Sequence, residues 1–397
     1  MRGYRADHAF DGDRVLPGGV LVLVEDDRIV GVDPASAAAP AGVEVRYVPG
    51  TTLLPGLVDT HVHLCADAGS RALDTIAGRS AEALDAGIEE ALRRQLAAGV
   101  TGVRDLGDHS FAVLDRHRDP AGGPTVVGSG PPITSPGGHC WSMGGGARGE
   151  GALRVAVRER VDRGAGVVKV MTSGGLLTPG TDPLACQFSP AELRAVADEA
   201  HRHGLPVTGH AHPLVAVERS VAAGFDGIEH GSCLTAGGIR TPPELTARLA
   251  ADGTPVCPTL GRLPGMDPPP HVAARMAEVG TSYEHQLDNA AVLHEAGVAL
   301  LAGTDAGVGP SKPHGVLPHA VVELVGCGLP VATALTAATG RAARACGLGS
   351  RTGRLAIGLQ ADLLLVDGDA TVDVSALLRL RTVVCRGREV DLAGPCG

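Results

Sequence analysis

Short apolar runs bounded by turn-forming residues recur along the whole chain, and their spacing predicts two kinds of territory. Near the start, residues 20–24 (Val-Leu-Val-Leu-Val), 28–32 and 43–48 read as strands separated by turns such as Glu25-Asp26-Asp27. The far end has the same character: 361–366 reads as a strand, and 381–385 with 388–392 flank Arg386-Gly387 as a hairpin. The two ends are expected to form one sheet domain together. Between them, apolar runs alternate with amphipathic stretches, the pattern of a parallel βα architecture. Eight runs qualify as strands: Thr52 to Asp59, Val100 to Asp105, Thr125 to Gly128, Val167 to Met171, Pro206 to His210, Gly227 to His230, Pro255 to Pro258 and Ala299 to Thr304. One intervening helix carries complete boundary signals, with Ser189 as N-cap, Pro190 at the first position, Glu192 completing a capping box and Gly204 at the end. Eight βα units closed on themselves make a (β/α)8 TIM barrel of the α/β class. Its site is expected where the strands end.

A length of 397 residues suits one large barrel or two domains. Hydrophobic residues at 44% and charged residues at 20% place the chain among globular proteins. The net charge of −10 opposes a nucleic-acid or anionic-membrane role and leaves a small molecule as the expected partner; homo-oligomerisation stays open. Nine scattered cysteines, never spaced Cys-x-x-Cys, suggest neither a disulfide framework nor a zinc ribbon and fit the reducing cytoplasm. The stretch Met1 to Asp13 is charged and lacks the apolar core of a secretory signal, and the run at 20–24 is strand-sized rather than membrane-spanning. Of 34 basic residues only Lys169 and Lys312 are lysines. Arginine serves almost everywhere else, so each lysine calls for a reason.

The chemistry gathers at the strand ends. His61 and His63 stand two apart on a predicted strand, so both imidazoles project from one face, as a shared metal requires. His201 and His203 have the same spacing late in a helix, where it turns them apart, and they read as solvated. Lys169 interrupts the apolar run Val167-Val168-Lys169-Val170-Met171. It is either a lysine reaching from a strand end to water or a primary amine needed as such. A neutral amine can add carbon dioxide to form an anionic carbamate able to bridge two metals; an arginine cannot. The fifth strand ends at His210 and His212, the sixth at His230, and the eighth at Asp305. A lone histidine is an ordinary structural residue. Four strand ends offering histidine or aspartate beside a buried lysine form a pattern.

The motifs Pro-Gly-Leu-Val-Asp-Thr-His-Val-His (55–63), Lys-Val-Met-Thr-Ser-Gly-Gly (169–175), Gly-His-Ala-His (209–212), Ile-Glu-His-Gly (228–231) and Ala-Gly-Thr-Asp-Ala (302–306) follow one another in order. In them the chain resembles the metal-dependent amidohydrolase superfamily, in the imidazolonepropionase-related branch that contains Xaa-Pro and Xaa-Arg dipeptidases. The resemblance covers nearly the whole chain. It implies a barrel over 55–349 and a β-sandwich assembled from 1–54 and 350–397. It further implies that His61, His63 and Asp305 bind the more buried of two divalent ions, expected to be zinc, that His210 and His230 bind the other, and that carboxylated Lys169 bridges them. At Gly-His-Ala-His the family pattern puts the ligand on His210, with His212 the alternative.

Such a centre turns bridging water into hydroxide near neutral pH and polarises a carbonyl, and Asp305, both ligand and base, would carry the proton to the leaving nitrogen. The expected function is hydrolysis of an amide C–N bond in a small peptide-like or N-acyl substrate. The alternatives are a cyclic-amide, lactone or carbamate hydrolase on the same site, or a catalytically silent scaffold. In the glycine-rich loop 137–146, His139 is a candidate to orient the substrate over the metals and Trp141 to line the pocket. Lys312 and His314, which follow the eighth strand, read either as bordering the pocket or as an exposed loop, Glu229 as facing away from its neighbour His230 to pack or support, Asp59 and Asp105 as structural, and Cys65 and Cys233 as small buried hydrophobes. The proline-rich segment 261–270 carries no charge pattern that names a ligand.

Overall fold

The computed structural model describes residues 1–391; Leu392, the expected end of the C-terminal hairpin, and the rest of 392–397 lie outside the described residues. The architecture is α/β and of TIM-barrel type. Leu57–Val62, Val100–Asp105 and Thr125–Gly128 form one parallel sheet in that order. Val168–Met171, Val207–Pro213, Gly227–Thr235 and Val256–Cys257 form a second set of parallel neighbours, to which the short Gly238–Ile239 strand adds an antiparallel edge.

Single bridges join these sheets: Ile133 beside Val170, Leu300 beside Val256, and Ala306 beside Val62. The predicted eighth strand therefore makes no ladder. It is tied in by individual bonds, with Thr60 N donating to Ala302 O (3.1 Å) and Leu301 N to Val256 O (3.0 Å). Asp305, at φ 60°, turns the backbone out of extended conformation directly after it.

The first predicted strand divides in two. Thr51–Pro55 pairs antiparallel with Leu363–Asp367, whereas Leu57–Val62 pairs parallel with Val100–Asp105. Gly56 stands at the junction because a Cβ there would fall 2.0 Å from Thr101 Oγ1. Periodicity could not reveal the change of sheet, since every residue from Thr51 to Val62 is buried.

Two sheets come from the chain ends. One has the order Arg28–Pro34, Val20–Glu25, Arg2–Ala6, Glu44–Tyr47; the other runs Arg388–Glu389, Leu380–Cys385, Leu363–Asp367, Thr51–Pro55, His8–Ala9. Arg2–Ala6, central in the first sheet, went unpredicted because its arginines mask the inward Tyr4 and Ala6. Tyr4, Val22, Leu53, Leu363 and Val384 belong to one buried cluster drawn from both sheets.

Helices cover the barrel strands. Ala81–Ala97 starts at Ser80, whose Oγ accepts from Ala83 N, and buries Leu84, Ile88, Ala91, Leu92 and Leu96, the stripe of a helix with one apolar face. Each such leucine or isoleucine contributes about 1.5–3 kcal/mol. Pro190–Arg202 has the predicted capping box: Glu192 N donates to Ser189 Oγ (3.3 Å) and Ser189 N to Glu192 Oε2 (2.9 Å). His201 and His203 are exposed at its end. Among the described residues, no helix is long and apolar enough to cross a membrane.

Candidate metal centre

The Leu57–Val62 strand carries His61 near its end and His63 just beyond. Alternation brings their rings to one side, with centroids 5.3 Å apart. Both Nε2 atoms turn to Asp305 Oδ1, at 3.4 Å from His61 and 3.2 Å from His63. Asp59 fixes the segment that carries Asp305, accepting from Thr304 N (3.0 Å) and Thr304 Oγ1 (2.6 Å). Asp105 does the same for the His63 turn by accepting from Leu64 N (2.7 Å). Lys169, from Val168–Met171, reaches in with Nζ 3.5 Å from His61 Nε2.

His210, His212 and His230 form the adjoining group, with ligand atoms that all lie within 4.8 Å of one another. The His230 ring is 4.6 Å from that of His210, 4.4 Å from that of His212 and 5.5 Å from that of His61. Strict alternation would have turned Glu229 away from His230. Instead His230 adopts φ 67°, so the backbone twists there and both side chains reach the interior. Glu229 Oε2 then accepts from His61 Nδ1 at 2.8 Å, while Glu229 Oε1 accepts from Arg104 Nη2 (2.9 Å) and Thr208 Oγ1 (2.6 Å).

The donor chemistry fits divalent cations. His61 Nδ1 is committed to Glu229, His63 Nδ1 to Gly107 O (2.9 Å), and His210 Nε2 to Gly174 O (3.2 Å). The Thr259 hydroxyl donates to Pro258 O (2.8 Å), so at its 2.8 Å contact with His230 Nδ1 it accepts. Each of these four rings thus gives its N–H to protein and keeps the other nitrogen as a bare lone pair. At His61 and His63 those lone pairs face a carboxylate oxygen, an arrangement that requires a proton or a cation between them.

The charge states agree at His61, His210 and His230. Burial, with Lys169 beside it, pushes His61 down to about 4; burial and the neighbouring His139 hold His210 well below its ordinary value, and burial and His212 do so for His230. Burial depresses His63 too, but Asp305 outweighs it and raises that ring. Burial opposes ionisation of Asp305 and Glu229, yet His61 and His63 for the former, and Arg104 and His61 for the latter, hold them below the usual carboxylate range. Burial also lowers Lys169, toward the neutral amine.

The two groups open into a cavity with about 120 Å³ of water-accessible space. His139 and His212 line it, each pushed down by burial, to about 3 and about 4. His139 Nδ1 is 2.7 Å from Thr178 Oγ1, and His212 Nδ1 is 3.0 Å from Ser232 Oγ. Trp141 is not brought in: it is 55% exposed and absent from the cavity lining. Of the two readings of Lys312 and His314, the exposed loop is overturned. His314 is buried with Nε2 2.9 Å from Ala66 O, and Lys312 lines the cavity while donating to Thr259 O (2.6 Å), Thr304 O (2.9 Å) and Gly261 O (3.4 Å). Burial would strand an ammonium in a generic loop; here three carbonyls receive it.

Arg104, Thr259, Arg262 and Tyr283 were missed. Arg104 had a signal, a basic residue inside an apolar strand like that of Lys169; the others meet only through tertiary folding.

Residues 52–390 match the model of the Amidohydrolase family. An uncharacterized protein of Mycobacterium tuberculosis (strain ATCC 25618 / H37Rv) is 30% identical over 365 residues, covering 90% of each chain. Imidazolonepropionase of Stenotrophomonas maltophilia (strain R551-3) is 29% identical, covering 92% of this chain and 89% of its own. Among solved structures, a prolidase complexed with N-methylphosphonate-L-proline superposes with a TM-score of 0.81 at 26% identity, covering 98% of this chain and 99% of the other.

Proposed function

We propose, from the premise that the chain belongs to the amidohydrolase family and is a hydrolase of carbon–nitrogen bonds, that it cleaves the amide of a small peptide-like or N-acyl substrate at a centre for two divalent ions. His61, His63 and Asp305 would hold one ion and His210 and His230 the other, with Lys169 supplying a carbamate as a further anionic ligand; imidazole and carboxylate donors suit zinc. The observation that carries this reading is the meeting of two donor groups, each with ligand atoms within 4.8 Å, beside the buried Lys169 amine. Bound cations supply Lewis acidity, polarising the amide carbonyl and easing deprotonation of water.

The chain's own residues do the rest. Glu229 fixes the His61 tautomer by accepting from Nδ1. Asp305, held ionised, takes the proton of the attacking water on a carboxylate oxygen and delivers it to the leaving nitrogen. His139 and His212, neutral and in the cavity wall, orient the substrate carbonyl. The similarity to a prolidase favours a peptide-like substrate, and that to imidazolonepropionase supports a cyclic amide as the second reading. The two end sheets with their shared cluster are read as a β-sandwich domain of 1–54 and 350–397 around a barrel of 55–349. The eight free cysteines among the described residues suit the cytoplasm.

The test is elemental analysis of protein expressed with zinc, together with a hydrolysis screen of dipeptides and N-acyl amino acids against cyclic amides and lactones. Two ions per chain and turnover of the linear amides are expected. One ion or none would sink the two-metal centre, and turnover confined to cyclic substrates would select the second reading.

A further inference from the structure

Three basic side chains other than histidine line the cavity: Lys169, Lys312 and Arg262. Lys169 stands among the metal donors, and Lys312 places its three ammonium N–H groups against three backbone carbonyls. Lys312 thus has no donor left to give a substrate, and Lys169 belongs to the metal centre in the reading above. Arg262 differs. Its Nη2 donates to Glu284 Oε1 at 3.3 Å, and Glu284 is the only ion-pair partner it has among the described residues. That glutamate side chain is 69% exposed, so the pair is solvent-screened and weak. A guanidinium carries five N–H groups in a planar fork matched to a carboxylate, and here most remain unspent.

The guanidinium is also held in place. Its Cζ lies 4.0 Å from the centre of the Tyr283 ring. Tyr283 is itself clamped: its hydroxyl donates to Glu323 Oε2 (2.5 Å) and accepts from Gly261 N (2.9 Å), the residue next to Arg262. The cation therefore rests on a fixed aromatic shelf at the cavity wall, and that side chain is only 25% exposed. Other parts of the wall are apolar, with Leu177, Pro268, Pro269, Val272 and Met276. A cavity with a metal centre, an apolar wall and one cation with free donors matches a molecule with a scissile amide, an apolar group and one negative charge.

We infer that Arg262, on its Tyr283 shelf, anchors a carboxylate of the substrate, so that this hydrolase acts on acidic amides: dipeptides or N-acyl amino acids with a free carboxylate and an apolar side chain. The inference rests on the amide-hydrolase reading above. It adds a specificity-determining residue and a charge requirement. The substrate carboxylate takes the fork's free edge, and Glu284 either shares the guanidinium or swings into solvent.

The test compares matched pairs that differ only in the carboxylate: glycyl-L-leucine with glycyl-isopentylamide, and N-acetyl-L-leucine with N-isopentylacetamide. Wild-type metal-loaded enzyme should favour the acid of each pair. In Arg262→Gln, kcat/KM for the acid should fall about 10–100-fold, mostly through KM, and the acid-to-analogue ratio should approach one. Arg262→Lys should restore part of the preference by keeping the charge without the fork. An unchanged ratio in Arg262→Gln overturns the inference. If wild type cleaves neither pair, the amide-hydrolase reading for linear substrates fails on its own, and titration calorimetry with N-acetyl-L-leucine decides the anchor. Binding to wild type that Arg262→Gln abolishes sustains it; equal or absent binding overturns it.

Discussion

Replacing Lys312 by methionine keeps the length and apolar stem of the side chain and removes only the ammonium, so the effect is that of the three carbonyl bonds. Two of them are short, at 2.6 Å to Thr259 O and 2.9 Å to Thr304 O, and the third is long at 3.4 Å. A hydrogen bond to a charged group contributes about 1.5–3 kcal/mol, so the two short bonds represent about 3–6 kcal/mol. Relief of the buried ammonium's desolvation returns part of that, leaving a net loss of about 2–4 kcal/mol. With an unfolding entropy of about 2.1 cal/mol/K per residue over 397 residues, roughly 0.8 kcal/mol/K, Tm should fall by about 2–5 °C.

The location predicts a further effect on chemistry. Thr259 orients His230 through its hydroxyl and holds φ 52°, and Thr304 precedes Asp305, which holds φ 60°. Strained residues of this kind persist only where their surroundings over-determine them. Lys312→Met should therefore lower kcat and metal retention as well as Tm. Scanning calorimetry, elemental analysis and kcat measured on one preparation provide the check. A variant with Tm within about 1 °C of wild type and unaltered kcat would refute the reasoning, because the carbonyls would then need no cation.

Lys169→Arg should lose one ion and nearly all activity although the charge is formally kept, and an arginine variant with both ions and normal turnover would disprove the carbamate. Asp305→Asn should keep most of the metal while kcat falls ~100-fold or more, since an oxygen remains but the base does not; near-normal kcat with full metal would move the proton transfer to His139 or His212. Glu229→Gln leaves Arg104 buried beside a neutral partner, and should cost about 3–5 kcal/mol in stability and about 10–100-fold in metal affinity through His61. Chelator competition and thermal unfolding measure the two effects, and wild-type values in both would show that the pair does not support the ligand.

What was legible in the sequence is what local pattern controls. Apolar runs of strand length marked seven of the barrel strands, period-two spacing put His61 and His63 on one side, and the chain's preference for arginine drew attention to Lys169. The eighth run failed as a strand because its contacts are individual bonds made just before a left-handed Asp305. The exposed-loop alternative for Lys312 failed for a related reason. Ser-Lys-Pro-His-Gly has the composition of a surface loop, and its burial depends on carbonyls at Thr259 and Thr304, one of them 53 positions away. His230 joined Glu229 at the site because its own backbone departs from alternation, and Arg262 acquired meaning only beside Tyr283, which folding brings up from a separate helix.

The division of the run from Thr51 to Val62 between two sheets governs how this enzyme can be taken apart. Five residues of that run are hydrogen-bonded into a sheet of the chain ends, the next is a glycine pressed against Thr101, and the following strand carries His61 and leads directly into His63. There is no slack between the two, as a linker would provide. A barrel cut free at residue 55 would strip Leu363–Asp367 of its neighbour and leave the His61 and His63 strand hanging from a new chain terminus, where fraying is greatest. The catalytic half is thus unsuited to exchange as a portable cassette, and recombination that preserves activity should place its crossovers elsewhere.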